Sequence, residues 1–385
     1  MKRLVFFPSD PIQAYIKKGR DYNFLDEYYN PGGFFDEVIC LSPWGDKEDE
    51  TISKIRYIKA SPYKFKSIIE KLKPDVVRGY GGYCCADWVS YNKVKGIPTV
   101  VSVHDTNPQL IHSSLAYADG IICMSHAVKD SVLKLVPNAT DKVWVMPNRI
   151  DVEIYSKKDD QQVFNELNRR FPGKYHVLHV GRKTEQKNLD TVIKAMKNLD
   201  RDVVTVFVGN GDTEFYKNLA KQEGVFDRCY FVDRVESTEL PYWYSWCDCM
   251  CTPSRWEGFG YVFVEAAACE AAIITSNIGP MNEYLENNTN AILVDEYENP
   301  TKLSDAINMC ISSDKNIQEM KKNARSVGLR FSKDRIDKQE IEIYKEMIQL
   351  KPNDNNYYQL KYKMITSDWI NSLKNFVYSV FKRKK

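Results

Sequence analysis

Short runs of apolar, largely β-branched residues recur along the chain, separated by longer segments whose apolar positions fall at helical spacing. In the first half the runs are Arg3–Phe7, Glu37–Leu41, Asp75–Arg78, Thr99–His104, Gly120–Met124 and Val143–Met146. In the second half they are Val177–Val180, Val203–Val208, Cys229–Val232, Asp248–Thr252, Ala272–Thr275 and Ala291–Val294. Strands that alternate with helices predict parallel sheets covered on both faces. So many strands exceed what one open sheet usually carries, so the expected architecture is α/β with two doubly wound, Rossmann-like domains. A polar, helical stretch bracketed by Pro147 and Pro172-Gly173 separates the halves. It predicts an N-terminal domain over 1–150 and a second domain over 174–330. Such sheets bind ligands at the carboxyl ends of their strands, which in a tandem pair face each other across a cleft.

Composition narrows the class of ligand. The 385 residues are 43% hydrophobic and 28% charged, the balance of a folded soluble chain. Fifty-four basic against fifty-two acidic residues leave +2, so no global field recruits nucleic acid, and a charged ligand must be held locally. The ten cysteines show no paired framework, which fits a reducing compartment. Cys247, Cys249 and Cys251 alternate as in a strand and lack the usual zinc spacing. Arg3–Phe7 is too short for a signal peptide, and no apolar run approaches the ~20 residues that span a bilayer. A cytoplasmic location is expected.

The segment Pro253-Ser-Arg-Trp-Glu-Gly-Phe-Gly-Tyr-Val-Phe-Val-Glu-Ala-Ala-Ala268 follows a strand and enters a helix. Gly258 and Gly260 allow close backbone approach, and the N–H groups of a helix start favour an anion. Glu257 and Glu265 are eight positions apart, a separation of up to roughly 12 Å if wholly helical. They could therefore accept hydrogen bonds from hydroxyls at the two ends of a nucleoside diphosphate sugar. Solvated glutamates and glycines that merely shape a turn are the plainer reading of the same residues. His104 closes an apolar strand and is expected at the carboxyl edge of the first sheet.

This segment resembles the Glu-x7-Glu motif of retaining glycosyltransferases of family four, which have the two-domain GT-B fold. His179-Val-Gly-Arg-Lys-Thr-Glu-Gln-Lys-Asn-Leu-Asp190 resembles the family's Gly-Arg turn and Lys-containing loop. Val208-Gly-Asn-Gly-Asp212 is similar to its next glycine turn, and Phe231-Val-Asp-Arg234 to its base-contacting loop, with Asp233 where glycine is usual. Val145-Met-Pro-Asn-Arg-Ile-Asp151 resembles the interdomain signature, and Asn277-Ile-Gly-Pro-Met-Asn-Glu283 the Gly-Gly-x-x-Glu turn, each with one glycine replaced. The resemblance runs from about Thr99 to Met347 and is weaker before it, where the acceptor loop reads Phe7-Pro-Ser-Asp-Pro-Ile-Gln13.

The resemblance implies that Arg182 and Lys187 contact the donor diphosphate, that Glu257 positions the donor sugar, and that His104 touches it. Glu265 would meet the ribose. Gly258, Phe259, Gly260 and Tyr261 would line the donor site, with Gly181 and Gly209 beside the phosphates and Asp233 and Arg234 near the base. It implies retention of configuration without a covalent intermediate, a UDP- or GDP-linked donor, and a glycan or lipid-linked hydroxyl acceptor in surface polysaccharide or glycolipid assembly. No cofactor and no metal are expected: the literal Asp200-Arg-Asp202 reads as a solvated turn. A nucleotide-sugar epimerase or hydrolase and a non-catalytic sugar-nucleotide scaffold are the competing readings. A nicotinamide enzyme is disfavoured, since no Gly-x-Gly-x-x-Gly follows the first strand.

Two segments follow the second domain. Phe331-Ser-Lys and the Asp334–Met347 helix resemble the family's closing segment, 331–349, which returns toward the N-terminal domain. In the extra segment 350–385, Trp369–Lys385 places apolar residues at helical spacing with a basic end. That pattern reads equally as a helix lying on an anionic membrane surface or as a terminal helix packed on protein.

Overall fold

The computed structural model describes residues 1–352 apart from 18, 46, 313 and 314. The chain divides into two compact units. Of the described residues, one holds 1–124, 128–146 and 337–352, and the other holds 125–127 and 147–336.

The first unit contains an eight-stranded sheet in the order β3-β4-β2-β1-β5-β6-β7-β8. Its strands are β1 (Arg3–Phe7), β2 (Glu37–Ser42), β3 (Asp49–Ile52), β4 (Ile55–Lys59), β5 (Val76–Tyr80), β6 (Thr99–Val103), β7 (Gly120–Cys123) and β8 (Val143–Val145). All neighbours are parallel except β3 and β4, which form a hairpin through Ser53-Lys54. Every strand expected from the apolar runs is present, and this hairpin is the addition. Its strands were invisible to an apolar pattern because β3 lies at the sheet edge and both strands carry charged residues. They gain from a cross-strand pair, in which Arg56 grips Asp49 through two hydrogen bonds of 2.9 and 2.6 Å.

The two faces of this sheet differ. Val5, Phe7, Ile39, Leu41, Val77, Val101 and Val103 pack into an apolar core on one side. The alternate positions Phe6, Arg78, Tyr80 and Ser102 are buried on the other. Here the helix Lys333–Gln349 lays down a stripe of Glu340, Ile343, Tyr344 and Met347, at the spacing of a helical face.

The second unit contains a wholly parallel sheet in the order β11-β10-β9-β12-β13-β14. The strands are β9 (Tyr175–Val180), β10 (Val203–Val208), β11 (Cys229–Val232), β12 (Cys249–Cys251), β13 (Ile273–Ser276) and β14 (Ile292–Val294). From β9 the chain winds outward through β10 and β11, then returns to the other flank of β9 as β12. Strand order therefore reverses between β9 and β12, where the loops leaving their carboxyl ends diverge and make a crevice. Cys249 and Cys251 are buried in this core, and burial pushes the Cys247 thiol up to about 12, which opposes thiolate formation for a metal.

Among the described residues no helix is long and apolar enough to cross a membrane. The expected surface helix Trp369–Lys385 lies outside the described residues.

The helix Lys315–Arg330 packs tightly on the helix Tyr261–Ala268 that enters the crevice. A Cβ on Gly328 would lie 2.6 Å from the Ala268 Cα. Gly328→Ala is therefore expected to destabilise the fold by about 1–3 kcal/mol, read as a lower urea midpoint with an unchanged slope.

Candidate functional site

The loops that leave β9 and β12 carry most of the residues singled out in the sequence. After β9, Gly181 leads into Arg182, Lys183 and the short 3-10 turn Glu185–Lys187. After β12, Pro253–Gly260 leads into the helix Tyr261–Ala268. The neighbouring turn after β10 presses against the first of these. Gly209 has φ +138, and a Cβ there would lie 2.1 Å from the Gly181 carbonyl oxygen, so no other residue fits without moving the turn. Hydrogen bonds from Gly181 N to Val208 O and from Lys183 N to Asn210 O, 2.9 and 2.7 Å, fasten the two turns together.

Lys187 is buried and forms an ion pair with Glu257. The Ser254 hydroxyl donates to the same Glu257 oxygen at 2.8 Å. The loop bearing Lys187 is anchored by His179, whose Nε2 donates to the Lys187 carbonyl at 3.0 Å while its Nδ1 is buried without a partner. Burial is the main reason that the His179 pKa falls to about 4, so the ring is neutral at physiological pH. A wider clamp surrounds the pair. Arg255 N donates to Gln186 O, its guanidinium makes two hydrogen bonds to Asp190 of 3.0 and 2.9 Å, and Nε reaches Glu298 at 2.6 Å. Gln186 in turn donates to Trp256 O at 2.9 Å and accepts from Arg182 at 2.9 Å.

The helix Tyr261–Ala268 begins at Gly260, with φ +83, and has no side-chain cap. Three other helices of this unit are capped, Asp160, Asp212 and Asn299 accepting first-turn N–H groups, whereas those starting at Leu189, Leu240 and Met281 also have no side-chain cap. Glu283 caps the helix His126–Leu135 by accepting from His126 N and Ala127 N. The Gly258 carbonyl accepts from Ser125 and the Phe259 carbonyl from Tyr284, both at 2.8 Å, which fixes the turn just before the uncapped helix. A helix start with glycine at its cap position, a buried lysine and an exposed arginine together favour a polyanion.

Glu265 sits within this helix, buried, with Oε2 accepting from the Tyr244 hydroxyl at 3.0 Å. The helix begins at Tyr261, so Glu265 lies about 6 Å along the axis from its first residue. Asp233 and Arg234 follow the end of β11, where both are exposed and Arg234 pairs with Glu236 at 3.3 Å.

Three residues were missed by sequence reasoning: His179, Ser254 and Lys183. Lys183 is fully buried, and its ammonium donates to the carbonyls of Gly209 and Val232 at the ends of β10 and β11. Burial lowers its pKa. It carries no local signal beyond its place after Gly-Arg, because its partners are distant in sequence.

His104 belongs to the first unit, one residue past β6. The residue is partly exposed, yet its Nε2 is buried with no hydrogen-bond partner. Burial, reinforced by the Arg78 guanidinium, pushes its pKa down to about 4. The literal Asp200-Arg-Asp202 precedes β10, at the amino edge of the sheet, whereas Gly209 follows the same strand at its carboxyl edge. Strand length alone puts roughly 20 Å between that acidic turn and the crevice. Among the described residues no cluster of His, Cys, Asp or Glu could hold a metal ion.

Residues 160–327 match the family model for glycosyl transferases group 1, and residues 37–154 match that for glycosyltransferase family 4. An uncharacterized glycosyltransferase of Methanocaldococcus jannaschii is 26% identical over 349 residues, covering 83% of this chain and 87% of that protein. The O-antigen biosynthesis glycosyltransferase WclY of Escherichia coli is 27% identical over 186 residues, 46% of this chain and 51% of that protein. The crystal structure of Anabaena HepE in complex with UDP and glucose superposes with a TM-score of 0.70 at 16% identity, over 90% of this chain and all of that one.

The lowered pKa values of His104 and His179 set a pH dependence. A folded-state pKa near 4 against the usual value near 6.5 means that the unfolded chain binds more protons between those limits. Stability should therefore be full above pH 6.5 and fall as pH drops toward 4, by on the order of 3 kcal/mol per histidine over the whole window. Urea midpoints measured from pH 7 to pH 4.5 check this, and His179→Gln should make the fall shallower.

Proposed function

Taking the chain as a GT-B glycosyltransferase of the family-four kind that its two domain matches indicate, we propose that it moves a sugar from a nucleoside diphosphate sugar to a hydroxyl acceptor, with retention and without a metal. One observation carries the reading: the buried Lys187–Glu257 pair lies in the loops at the strand-order reversal, and the second of these loops leads into a helix whose cap position is a glycine.

The chemistry of the step explains the arrangement. As the bond between the anomeric carbon and phosphate breaks, negative charge gathers on the leaving diphosphate. Groups that meet this charge most strongly in the transition state accelerate the step. Lys187, Arg182 and the first N–H groups of the helix Tyr261–Ala268 supply that field. When Lys187 turns to phosphate, Glu257 becomes free to accept hydrogen bonds from the sugar hydroxyls. Ser254 keeps its carboxylate in place during the exchange. The acceptor oxygen bonds to the anomeric carbon on the face the phosphate leaves, and its proton passes to the departing phosphate oxygen. Glu257 orients the sugar and forms no covalent bond. In this reading Glu265 meets the ribose, Asp233 and Arg234 the base, and His104 the transferred sugar.

The donor is UDP- or GDP-linked and the acceptor a glycan or lipid-linked hydroxyl of surface polysaccharide or glycolipid assembly. The UDP and glucose held by the HepE structure and the O-antigen role of WclY support that class.

A thermal-shift screen against UDP- and GDP-sugars should raise the melting temperature for one of them; no shift with any would remove the reading. With that donor, Glu257→Gln and Lys187→Met should each lower kcat about 10²–10³-fold. Transfer should be unchanged by EDTA, and intact-mass analysis during turnover should show no glycosyl adduct on Glu257.

A further inference from the structure

The covered face of the first sheet contains an ion pair that the proposed reaction does not use. Arg78 sits in the middle of β5, fully buried. Registration of β5 on β6 pairs Arg78 with Val100 and Tyr80 with Ser102. Paired residues of parallel strands share a face, and His104 follows two positions beyond Ser102, just past the end of β6. Arg78 reaches along this face: its Nε donates to Ser102 Oγ at 3.0 Å. From above, the helix Lys333–Gln349 supplies Glu340 and Tyr344, both of which take hydrogen bonds from the Arg78 guanidinium. The guanidinium also lies 4.3 Å from the Tyr80 ring centroid and 5.3 Å from that of Tyr344. Tyr344 is wedged by Phe34 and Phe35, at ring distances of 6.0 and 4.8 Å. The cation is thus fixed in position by packing as well as by charge.

Next along the face is the buried Nε2 of His104, with no hydrogen-bond partner. An unsatisfied buried nitrogen is unfavourable by about 1–3 kcal/mol, and such atoms call for an explanation. A positive group nearby makes a proton on that nitrogen unfavourable, and the tautomer of a histidine is set by what surrounds its other nitrogen. We propose that Arg78, clamped by Glu340 and Tyr344, is a positioning residue for His104, holding the imidazole neutral with Nε2 bare and its single proton on Nδ1. His104 then presents a hydrogen-bond donor, and the helix Lys333–Gln349 governs that donor from outside the site. Its use on the transferred sugar rests on the function proposed above; the tautomer does not.

The charged and titratable groups around the ring act in a definite order. Burial disfavours the imidazolium first, Arg78 adds to this, and Glu340 opposes it. Tyr80 from β5 and Tyr344 from the helix are neutral, since burial raises both hydroxyls. Removing Arg78 alone would strand Glu340 in the interior, so the informative change removes both charges.

The full chain labelled with 15N-histidine, with the His104 signal assigned through His104→Gln, decides the matter by NMR. The wild type should show the Nδ1–H tautomer, with protonation only below about pH 5. In Arg78→Met/Glu340→Met the midpoint should rise by at least one pH unit, and Tyr344→Phe should give a smaller rise or a mixture of tautomers. An Nε2–H tautomer in the wild type overturns the proposal. So does an unchanged His104 midpoint in a double variant whose circular dichroism is native. Should the double variant fail to fold, an unchanged tautomer and midpoint in Tyr344→Phe overturn it. With an active donor, the acid limb of kcat/KM should move upward together with the midpoint. If no donor supports transfer by the wild type, the glycosyltransferase reading fails, while the His104 signal still decides the tautomer.

Discussion

Lys187 and Glu257 are both buried, and burial of charge is the constraint around which the second unit is organised. Two ions taken out of water lose far more solvation than their attraction returns unless geometry and further hydrogen bonds are good. Here the anion has Ser254 as a second donor, and the cation's backbone is held by His179. Neither charge could be placed so deeply without the other. The pair therefore forces the loops after β9 and β12 to lie together, although nearly seventy residues separate them in the chain. In the proposed reaction a polyanion arriving at the crevice meets a lysine already desolvated and aimed, so little reorganisation accompanies the exchange of partners.

Rigidity around that exchange comes from residues that touch no ligand in the proposed reaction. Arg255 binds the two loops through Asp190 and the Gln186 carbonyl, and Asn188 donates to Pro253 and Tyr297 carbonyls at 3.0 Å each. The contact of Gly209 with Gly181 brings in the third turn. Side chains held by packing and outer hydrogen bonds are what fix a site to within fractions of an ångström. The same principle explains why Lys183 is spent on main-chain carbonyls: it closes the exposed ends of β10 and β11 beside the position where Asp233 emerges.

The strands and their grouping into two sheets were legible because buried parallel strands are continuous apolar runs with few alternatives. The β3–β4 hairpin was not, since its stability rests on the Arg56–Asp49 pair at a sheet edge. In the crevice, local signals sufficed for glycines and for charges that follow a strand end, because a turn needs particular residues at particular steps. They failed for His179, Ser254 and Lys183. A histidine inside an apolar strand or a serine before an arginine looks the same whether it anchors a loop or merely fills space. What distinguishes the two is a partner far away in sequence, and a single chain carries no record of that pairing.

Buried ion pairs are weak evidence for stability, so their surroundings must say what they are for. The first unit contains a useful contrast. Lys93 pairs with Asp119 at 2.6 Å, and the second Asp119 oxygen accepts from Thr99 N and Thr99 Oγ1 at 2.9 and 2.8 Å. That carboxylate is saturated by the end of a strand and has nothing to exchange. Arg78 and Glu340 are equally deep, but next to them an imidazole nitrogen is left bare. Lys187 and Glu257 adjoin a helix start that no side chain caps. Incomplete satisfaction beside a complete pair is energetically unfavourable in the empty protein and becomes favourable only when something else supplies the missing partner. By that criterion Lys93–Asp119 is structural, whereas in the proposed readings Lys187–Glu257 holds a charge ready to be shared and Arg78–Glu340 holds a ring in the form that can donate.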